Sequence, residues 1–366
     1  MKFLRLRSEL WLSAGSVILA LILGEVAARK LLQPPARVVL AAPLPGTADN
    51  PKAMRSLHRA DPLLGWVLNQ GPMEYQQRLV SKEGAVEYDV RYNVADGQRR
   101  TSANPPSGPV LIAAGCSFTF GHGVNDGDTW PWQLQQRLPN YHVINVGTMG
   151  YGTDQALLAA ERQVKMFPHQ TAAVVLGLGT FQIERNRSPQ GWMVFVYPFS
   201  KPLFAVGPSG VEYKGQVRVW SAPILSQSDL FAHAMNVVAN RIIYKVPSHE
   251  GAKQLTVALV RDFAERFRKL GVRLAVAVLP YADDFTVENR TDRAYLIDGL
   301  QAAGIPTLVP DFPRLPDGKF DVGKFMVSRT DRHPNGEYTR RLVDQMYPFL
   351  ETNGIVSVSQ PGESRR

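Results

Sequence analysis

The chain has 366 residues, of which 45% are hydrophobic and 20% are charged, and its formal net charge is +9. This length and composition suit one large buried core, with or without a small appendage, and argue against a disordered chain. The positive charge does not indicate a nucleic-acid partner, because Lys and Arg are scattered and no groove-reading motif accompanies them. The single cysteine, Cys116, excludes an intrachain disulfide, a Cys-x-x-Cys pair and a cysteine-based zinc site.

The N-terminus predicts export. The first nine residues contain three cations, and the fifteen residues from Leu10 carry no charge. This run is shorter than the ~20 residues that span a bilayer comfortably, and Val26-Ala27-Ala28 is a tolerable signal-peptidase site. Against cleavage, the apolar pattern continues, and Glu25 and Arg29 stand one helical turn apart and can pair. We predict an uncleaved, single-pass membrane anchor over residues 1–32, with the rest of the chain extracytoplasmic, or periplasmic in a Gram-negative cell.

The remainder predicts one α/β domain. A Pro/Ala-rich linker (33–57) leads to residues 58–352, and a tail (353–366) follows. Its first part, to about residue 92, suggests short irregular or strand-like pieces. Beyond it, buried strands are predicted at 110–114, 143–146, 172–178, 274–279 and 307–309. Helices are predicted at 130–138, 155–166, 252–270 and 293–302, and a last one follows Asn335 and ends at Phe349. This alternation is typical of a parallel sheet flanked by helices on both faces.

An insertion interrupts the alternation between residues 186 and 250. It is rich in Pro, Gly and aromatic residues, namely Trp192, Phe195, Tyr197, Phe199, Phe204, Tyr213 and Trp220. Loops that follow the carboxyl ends of sheet strands overhang the usual ligand crevice, so the insertion could form a lid or an acyl-binding wall. The alternative is that its aromatic side chains only build a small satellite core.

Ser117 is the candidate nucleophile. It follows the predicted strand 110–114 directly, within Gly115-Cys116-Ser117-Phe118-Thr119-Phe120-Gly121. A serine at the exit of a buried parallel strand is displayed at the edge of the sheet where substrates bind. A turn serine or a helix cap would give the same local pattern. The neighbouring Cys116 thiol is the weaker candidate nucleophile.

His333 is the candidate base. It lies in Asp331-Arg332-His333-Pro334-Asn335-Gly336, just before the last predicted helix. The following proline restricts the backbone of His333, and Asp331 could orient its ring and stabilise the imidazolium. An Asp-x-His pair alone is as compatible with a surface loop, but together with Ser117 it completes a set of nucleophile, base and acid.

These motifs resemble the blocks of the SGNH (GDSL-like) hydrolase family, particularly its bacterial membrane-anchored members, over roughly residues 58–350. The segment around Ser117 resembles the first block, with Cys116 where Asp is usual. Residues 145–155 are similar to the second block, whose glycine, Gly150 here, gives a backbone amide to the oxyanion. Residues 331–335 resemble the block that carries the base. More weakly, His58-Arg59-Ala60-Asp61-Pro62 with Leu64-Gly65-Trp66, and Asn93 with Gly97, resemble the lead-in segments of the anchored members. The resemblance implies a flavodoxin-like three-layer fold.

Two departures from the family pattern concern the active site. The family's third block places an Asn side chain in the oxyanion hole, whereas Gly179-Thr180-Phe181-Gln182 stands here. The resemblance therefore implies an oxyanion hole of the Ser117 and Gly150 amides, with the amide of Gln182 as a substitute only if its longer side chain folds back. The family's acid often stands three residues before the histidine, where this chain has Thr330, so Asp331 must serve.

The sequence thus predicts a serine esterase that acts on an acyl or acetyl ester of an extracytoplasmic small molecule or glycan. Two alternatives remain: an O-acyltransferase that modifies a surface polysaccharide, and a binding protein that keeps the fold without turnover. No cofactor is expected, nor a metal, because His142 and His169 lack ligand spacing. His122 lies close to Ser117 in the sequence and could line the pocket, but it is interpreted as an ordinary loop residue. Asp128 is interpreted as the N-cap of the helix at 130.

Overall fold

The structure is a computed structural model that describes residues 2–33, 35, 57–81, 83–196, 198–219, 227–281 and 287–357. The predicted linker lies almost entirely outside the described residues. Tyr197 and Trp220 of the predicted insertion, and residues 358–366 of the predicted tail, also lie outside them.

The described strands and helices follow each other along the chain as the sequence pattern predicts from residue 110 onward. The strands are β1 (His58–Asp61), β2 (Gly65–Leu68), β3 (Met73–Val80), β4 (Val86–Ala95), β5 (Gln98–Arg99), β6 (Val110–Ala114), β7 (His142–Asn145), β8 (Thr171–Leu178), β9 (Lys201–Gly207), β10 (Gly210–Val217), β11 (Arg273–Val278) and β12 (Thr307–Leu308). The α-helices are α1 (Lys2–Leu31), α2 (Ser117–Phe120), α3 (Trp130–Arg137), α4 (Thr153–Met166), α5 (Gln182–Arg187), α6 (Gln190–Phe195), α7 (Asp229–Val238), α8 (His249–Lys269), α9 (Val287–Ala302), α10 (Val322–Phe325) and α11 (Gly336–Thr352).

A central sheet of eight strands has the order β12-β11-β8-β6-β7-β5-β4-β3. Its five strands from β12 to β7 are parallel. They are runs of Val, Ile, Leu and Ala, and β6 is buried along its whole length. Such continuous apolar strands need cover on both faces, which is why the flanking helices have apolar stripes. The predicted parallel sheet is confirmed.

The order of the parallel strands places helices on both faces. Among the five parallel strands, β6 comes first in the chain, and the second, β7, lies on one side of it. The third, fourth and fifth, β8, β11 and β12, follow in order on the other side, as in flavodoxin-like folds. Right-handed crossovers then place α3 on one face and α4 and α8 on the other. In agreement, α3 packs against α11, whereas α8 packs against α4 and α9. The order in which strands are added to the sheet therefore reverses at β6, and Ser117 follows that strand.

An antiparallel hairpin of β3 and β4 extends the sheet beyond β7 through β5. The sequence predicted only short irregular or strand-like pieces here, whereas β3 has eight residues and β4 has ten. The side chains of β4 alternate between buried and exposed positions from Tyr88 to Val94. The hairpin therefore belongs to the sheet and brings residues near position 90 to the same edge as Ser117.

The predicted insertion packs onto the main core and also reaches the sheet edge. Phe199 and Phe204 are buried in that core, and the Phe199 ring stacks on Trp66 with centroids 5.9 Å apart. Trp192 is only partly buried, and a Cβ atom built on Gly150 would lie 3.7 Å from its ring. The insertion thus contributes both core packing and a wall beside the predicted oxyanion glycine.

The N-terminal helix α1 carries apolar side chains that are largely exposed, such as Leu23 at 60%. Among the residues that the structure describes, no helix is both long and apolar enough to span a membrane.

One helix cap differs from the sequence prediction. The N-cap of α3 is Thr129, whose side chain accepts a hydrogen bond from the backbone N–H of Trp132. Asp128 instead ends the preceding 3-10 turn, so its predicted role as N-cap was wrong. The two adjacent polar residues compete for one cap, and the extra turn shifts the helix start by one residue.

Candidate active site

Ser117 is held at the carboxyl end of β6 by a sharp turn into α2. Gly115 makes this turn possible, since a Cβ atom there would lie 2.1 Å from the Thr119 hydroxyl oxygen. Ser117 is the first residue of α2, so its backbone N–H is among those that have no acceptor within the helix. Both its hydroxyl and its amide are therefore available for chemistry at the sheet edge.

The structure brings Ser117, His333 and Asp331 together, although 216 residues separate the serine from the histidine. His333 Nε2 lies 2.9 Å from Ser117 Oγ, and His333 Nδ1 lies 2.5 Å from Asp331 Oδ1. Asp331 Oδ1 also accepts from the backbone N–H of His333 at 3.2 Å, which orients the carboxylate toward its own loop. This is the connectivity of a nucleophile, a base and an orienting acid.

The loop that carries His333 is fixed at both ends. The backbone carbonyl of His333 accepts from the N–H of Val327 at 2.8 Å. After it, Asn335 caps α11 by accepting from the N–H groups of Glu337 and Tyr338. The Phe118 ring packs edge-on against the imidazole, with centroids 5.5 Å apart. The histidine ring therefore has little freedom to turn away from Ser117.

Asp331 remains ionised although it is almost fully buried. Burial alone would raise the pKa of its carboxyl group, but the charge of His333 and the hydrogen bonds from His122 and His333 outweigh it and lower the pKa well below its usual range. Asp331 can therefore stabilise the imidazolium that forms when His333 takes a proton.

Gly150 lies in the turn between β7 and α4, with a φ angle of +78° that favours glycine. The turn is held by the Trp66 indole, which donates to the carbonyl of Met149 at 2.9 Å, and by the Tyr151 hydroxyl, which donates to the carbonyl of Trp66 at 2.5 Å. Trp66 belongs to the lead-in segment that resembles the anchored family members. Its contacts fix the turn that would present the Gly150 amide.

Gln182 does fold back, but toward the backbone. Its side-chain oxygen accepts from the N–H of Gly179 at 2.8 Å, and the residue is fully buried. Its amide nitrogen is buried without a hydrogen-bond partner. No described contact joins Gln182 to Ser117 or Gly150, so its part in the oxyanion hole stays a prediction.

Phe181 occupies a position in an aromatic wall beside the nucleophile. Its ring centroid lies 5.1 Å from that of Phe118 and 5.5 Å from that of Tyr281. The guanidinium of Arg185 stacks between the rings of Phe181 and Trp192, at 4.6 and 4.8 Å from their centroids. Because Phe181, Tyr281 and Trp192 are only partly buried, this wall can contact the apolar part of a substrate.

A buried ion pair lies behind the Gly150 turn. Lys201 at the start of β9 donates to Asp154 in the first turn of α4, and neither side chain is more than 1% exposed. Burial raises the pKa of Asp154 and lowers that of Lys201, while their mutual attraction opposes both shifts. The pair connects the predicted insertion to the helix that follows the Gly150 turn.

His122, Asp331 and His333 place metal-ligand atoms within 4.8 Å of one another. In the structure these atoms are engaged otherwise, since both nitrogens of His333 face Ser117 and Asp331 and the second oxygen of Asp331 accepts from the Tyr88 hydroxyl. The arrangement thus fits proton transfer directly, and we treat His122 as part of the hydrogen-bonded surroundings of Asp331.

Each family-like block therefore lies where the resemblance places it: Ser117 after the first parallel strand, Gly150 after the second and His333 before the last helix. The described fold is the three-layer α/β arrangement that the resemblance implies. No family model matches the sequence, and no curated protein matches it.

Solved structures of similar fold include GDSL-type enzymes. TesA is 13% identical, with a TM-score of 0.39 over 68% of this chain and 99% of its own. A lipolytic G-D-S-L family protein from Desulfitobacterium hafniense is 16% identical, with a TM-score of 0.39 over 66% of this chain and 99% of its own. A catalytic mutant of the acetylxylan esterase Axe2 from Geobacillus stearothermophilus is 13% identical, with a TM-score of 0.39 over 67% and 95%.

Sequence reasoning missed two residues next to Asp331. His122, interpreted as an ordinary loop residue, is 3% exposed and lies 3.2 Å from Asp331 Oδ2. Tyr88 donates to the same oxygen from a position 243 residues away in the chain. The local sequence around either residue carries no catalytic motif, and only the pairing of the hairpin with the sheet reveals the contact.

Proposed function

We propose that this protein is a serine hydrolase that cleaves a carboxylic ester. The observation that carries the proposal is the hydrogen-bonded series Ser117 Oγ, His333 Nε2, His333 Nδ1 and Asp331 Oδ1, with distances of 2.9 and 2.5 Å. A surface Asp-x-His pair and a turn serine do not account for this order of hydrogen-bonded atoms at the edge of the sheet where ligands bind.

In the first half-reaction, Ser117 Oγ forms a bond to the acyl carbon while its proton passes to His333 Nε2. The carbonyl electron pair moves to the oxygen, where the amides of Ser117 and Gly150 stabilise the negative charge. The tetrahedral intermediate then collapses. The bond from the acyl carbon to the alkoxy oxygen breaks, and His333 gives its proton to the departing alcohol.

In the second half-reaction, His333 takes a proton from water, and the hydroxyl oxygen attacks the acyl carbon. When the bond to Ser117 Oγ breaks, His333 returns the proton to that oxygen and the acid leaves. If a sugar hydroxyl replaces water in this step, the same residues carry out acyl transfer. The acyl-enzyme is common to both reactions, so product analysis with water alone and with an added glycan acceptor separates them.

The direct test is covalent labelling of the full-length chain with an aryl fluorophosphonate. We expect one adduct per chain, located at Ser117 by peptide mass spectrometry, because only a serine with an adjacent base reacts readily. His333→Ala should abolish labelling. Labelling at another residue, or none in the folded wild-type protein, would contradict the proposal and favour a binding protein.

The aromatic wall predicts a dependence on acyl-chain length. Phe181→Ala is expected to raise KM for an aryl butyrate several-fold, because about 1 kcal/mol of apolar contact is lost, and to change KM for the aryl acetate less. Phe195→Ala is the matched control, because Phe195 stacks on Trp192 with ring centroids 4.8 Å apart and has no described contact with Phe118. If the KM for each ester is the same in Phe181→Ala as in wild type, the wall does not bind the acyl group.

For location, we propose that the hydrolase works outside the cytoplasm with α1 retained and in contact with the membrane. The support is the cation-rich start of the sequence, the exposed apolar side chains of α1 and the contacts of Glu25. The Glu25 carboxylate accepts from the Ser228 hydroxyl at 2.7 Å and from the N–H groups of Asp229 and Leu230, both at 3.0 Å.

Because Glu25 accepts hydrogen bonds from the N-cap and first turn of α7, cleavage after residue 28 would remove a structural contact. We expect the intact mass of the protein from its native host to include α1 and the chain to fractionate with membranes. In Glu25→Gln, protease cleavage near Ser228 should become faster, since the amide cannot accept from all three donors. Arg29→Gln is the control, because Arg29 contacts Glu25 and not α7. A mature N-terminus beyond residue 28 would contradict retention.

A further inference from the structure

The Asp331 carboxylate is held from two elements other than its own loop. Its Oδ2 atom accepts from the Tyr88 hydroxyl of β4 at 2.9 Å and lies 3.2 Å from Nε2 of His122, which follows α2. Tyr88 and His122 are both less than 10% exposed. The backbone N–H of His122 donates to the carbonyl of Ser117 at 3.0 Å, whereas the side chains of Tyr88 and His122 both face Asp331. The two side chains therefore act on His333 through Asp331.

The hydrogen bonds behind Tyr88 fix the direction of its proton. The backbone N–H of Gly123 donates to the Tyr92 hydroxyl at 2.8 Å, and that hydroxyl donates to Gln77 Oε1 at 2.6 Å. The amide nitrogen of Gln77 must then face Tyr88, to which it donates at 3.2 Å. Since the oxygen of Tyr88 accepts from Gln77, its hydrogen is free to point at Asp331.

His122 adds a second constraint. Its ring lies 4.3 Å from the His333 ring, centroid to centroid, and its Nε2 faces both Asp331 Oδ2 and the Tyr88 hydroxyl. With its proton on Nε2, His122 donates to the carboxylate. The two histidines then share one acid, each on a different oxygen, and rotation of the carboxylate away from His333 would break the bonds on Oδ2.

We propose that Tyr88 and His122 are positioning residues of this hydrolase, which hold Asp331 toward His333 and set the pH range in which His333 acts as a base. This inference rests on the proposed esterase function. It gives the β3–β4 hairpin a role in catalysis without contact with the substrate.

The sign of the pH effect follows from charge. Tyr88 and His122 draw negative charge from Asp331, and without either donor the carboxylate stabilises the His333 imidazolium more strongly. His333 must be neutral to accept the serine proton, so loss of a donor moves the acidic limb of kcat/KM to higher pH. Among the described residues, the other charged or titratable groups near this cluster include Tyr92 and, behind it, Arg99, whose guanidinium lies 4.4 Å from the Tyr92 ring. Glu87 accepts from the Thr330 hydroxyl beside Asp331, and Arg332 belongs to the same loop as Asp331.

The test measures kcat and KM for an aryl acetate across pH with full-length wild type, Tyr88→Phe and His122→Asn. Each variant is expected to lose about tenfold in kcat, the effect of one charge-assisted hydrogen bond, with KM unchanged and the acidic limb moved up by several tenths of a pH unit. Tyr75→Phe is the matched control. Tyr75 lies on the same hairpin and stacks on Tyr92 with centroids 6.1 Å apart, without a described contact with Asp331.

A limb that stays at the wild-type pH in both variants, or that moves equally in Tyr75→Phe, would overturn the inference. If one variant fails to fold, the other still decides. If Ser117→Ala retains activity, the proposed function fails first, and that outcome is distinct.

Assays with EDTA are expected to match those without it. Loss of activity with EDTA, restored by added Zn²⁺, would assign His122 and Asp331 to a metal and overturn the positioning role.

Discussion

Ser117→Ala is expected to lower kcat for a short-chain aryl ester by a factor on the order of 10⁴ to 10⁶, with the fold unchanged. The hydroxyl is the atom that bonds to the acyl carbon, and no other described group lies within hydrogen-bond distance of His333 Nε2. Its removal takes away one hydrogen bond, which contributes about 1 kcal/mol to stability. Steady-state kinetics and thermal unfolding of wild type and variant give the two quantities.

Two controls sharpen the Ser117 experiment. Cys116→Ala tests the neighbouring thiol, which is fully buried and has no part in the Ser117–His333 contact, so most activity should remain. The double variant Ser117→Ala, His333→Ala should be no slower than either single variant, since residues that act as a unit are not additive. Activity that survives Ser117→Ala and disappears in Cys116→Ala would reverse the assignment of the nucleophile.

The parallel part of the fold could be predicted because its signals are local. Continuous apolar runs mark β6, β7, β8 and β11, and the predicted bounds agree with the observed ones within one or two residues. The β3–β4 hairpin could not be predicted in full. Its buried side chains alternate with exposed or partly exposed ones, so its strands depend on pairing with each other and with β5 instead of on a hydrophobic run.

In the candidate site, too, the residues with a local sequence pattern could be predicted, and the contacts between distant segments could not. Ser117 and His333 could be predicted because each follows from a short pattern at the end of an element. The contacts of Asp331 with Tyr88 and His122 could not, since hydrogen bonds between distant segments leave no spacing in the sequence. Gln182 shows a further limit: the sequence sets folding back of its side chain as the condition for a role in the oxyanion hole, but it cannot indicate that the side-chain oxygen binds the Gly179 amide.

Lys201→Met is expected to lower the free energy of unfolding by about 3–5 kcal/mol, because it leaves the Asp154 carboxylate buried without its cation. Burial raises the pKa of Asp154, so the folded variant binds a proton more readily than the unfolded chain does. The stability deficit should therefore shrink as pH falls and Asp154 becomes protonated. Urea unfolding at neutral and acidic pH measures both effects.

The double variant Lys201→Met, Asp154→Asn should recover much of this loss, because it removes both buried charges and keeps a side chain that can accept from the N–H of Gln155. Arg137→Met is the matched control for an exposed pair. Arg137 binds Asp344 at 2.6 Å, but both side chains are about half exposed, so the change should be less than about 1 kcal/mol. Equal losses in Lys201→Met and Arg137→Met would mean that the buried pair does not stabilise the fold. A loss confined to Lys201→Met, accompanied by lower kcat, would connect the insertion to the Gly150 turn through Asp154, since α4 begins directly after that turn.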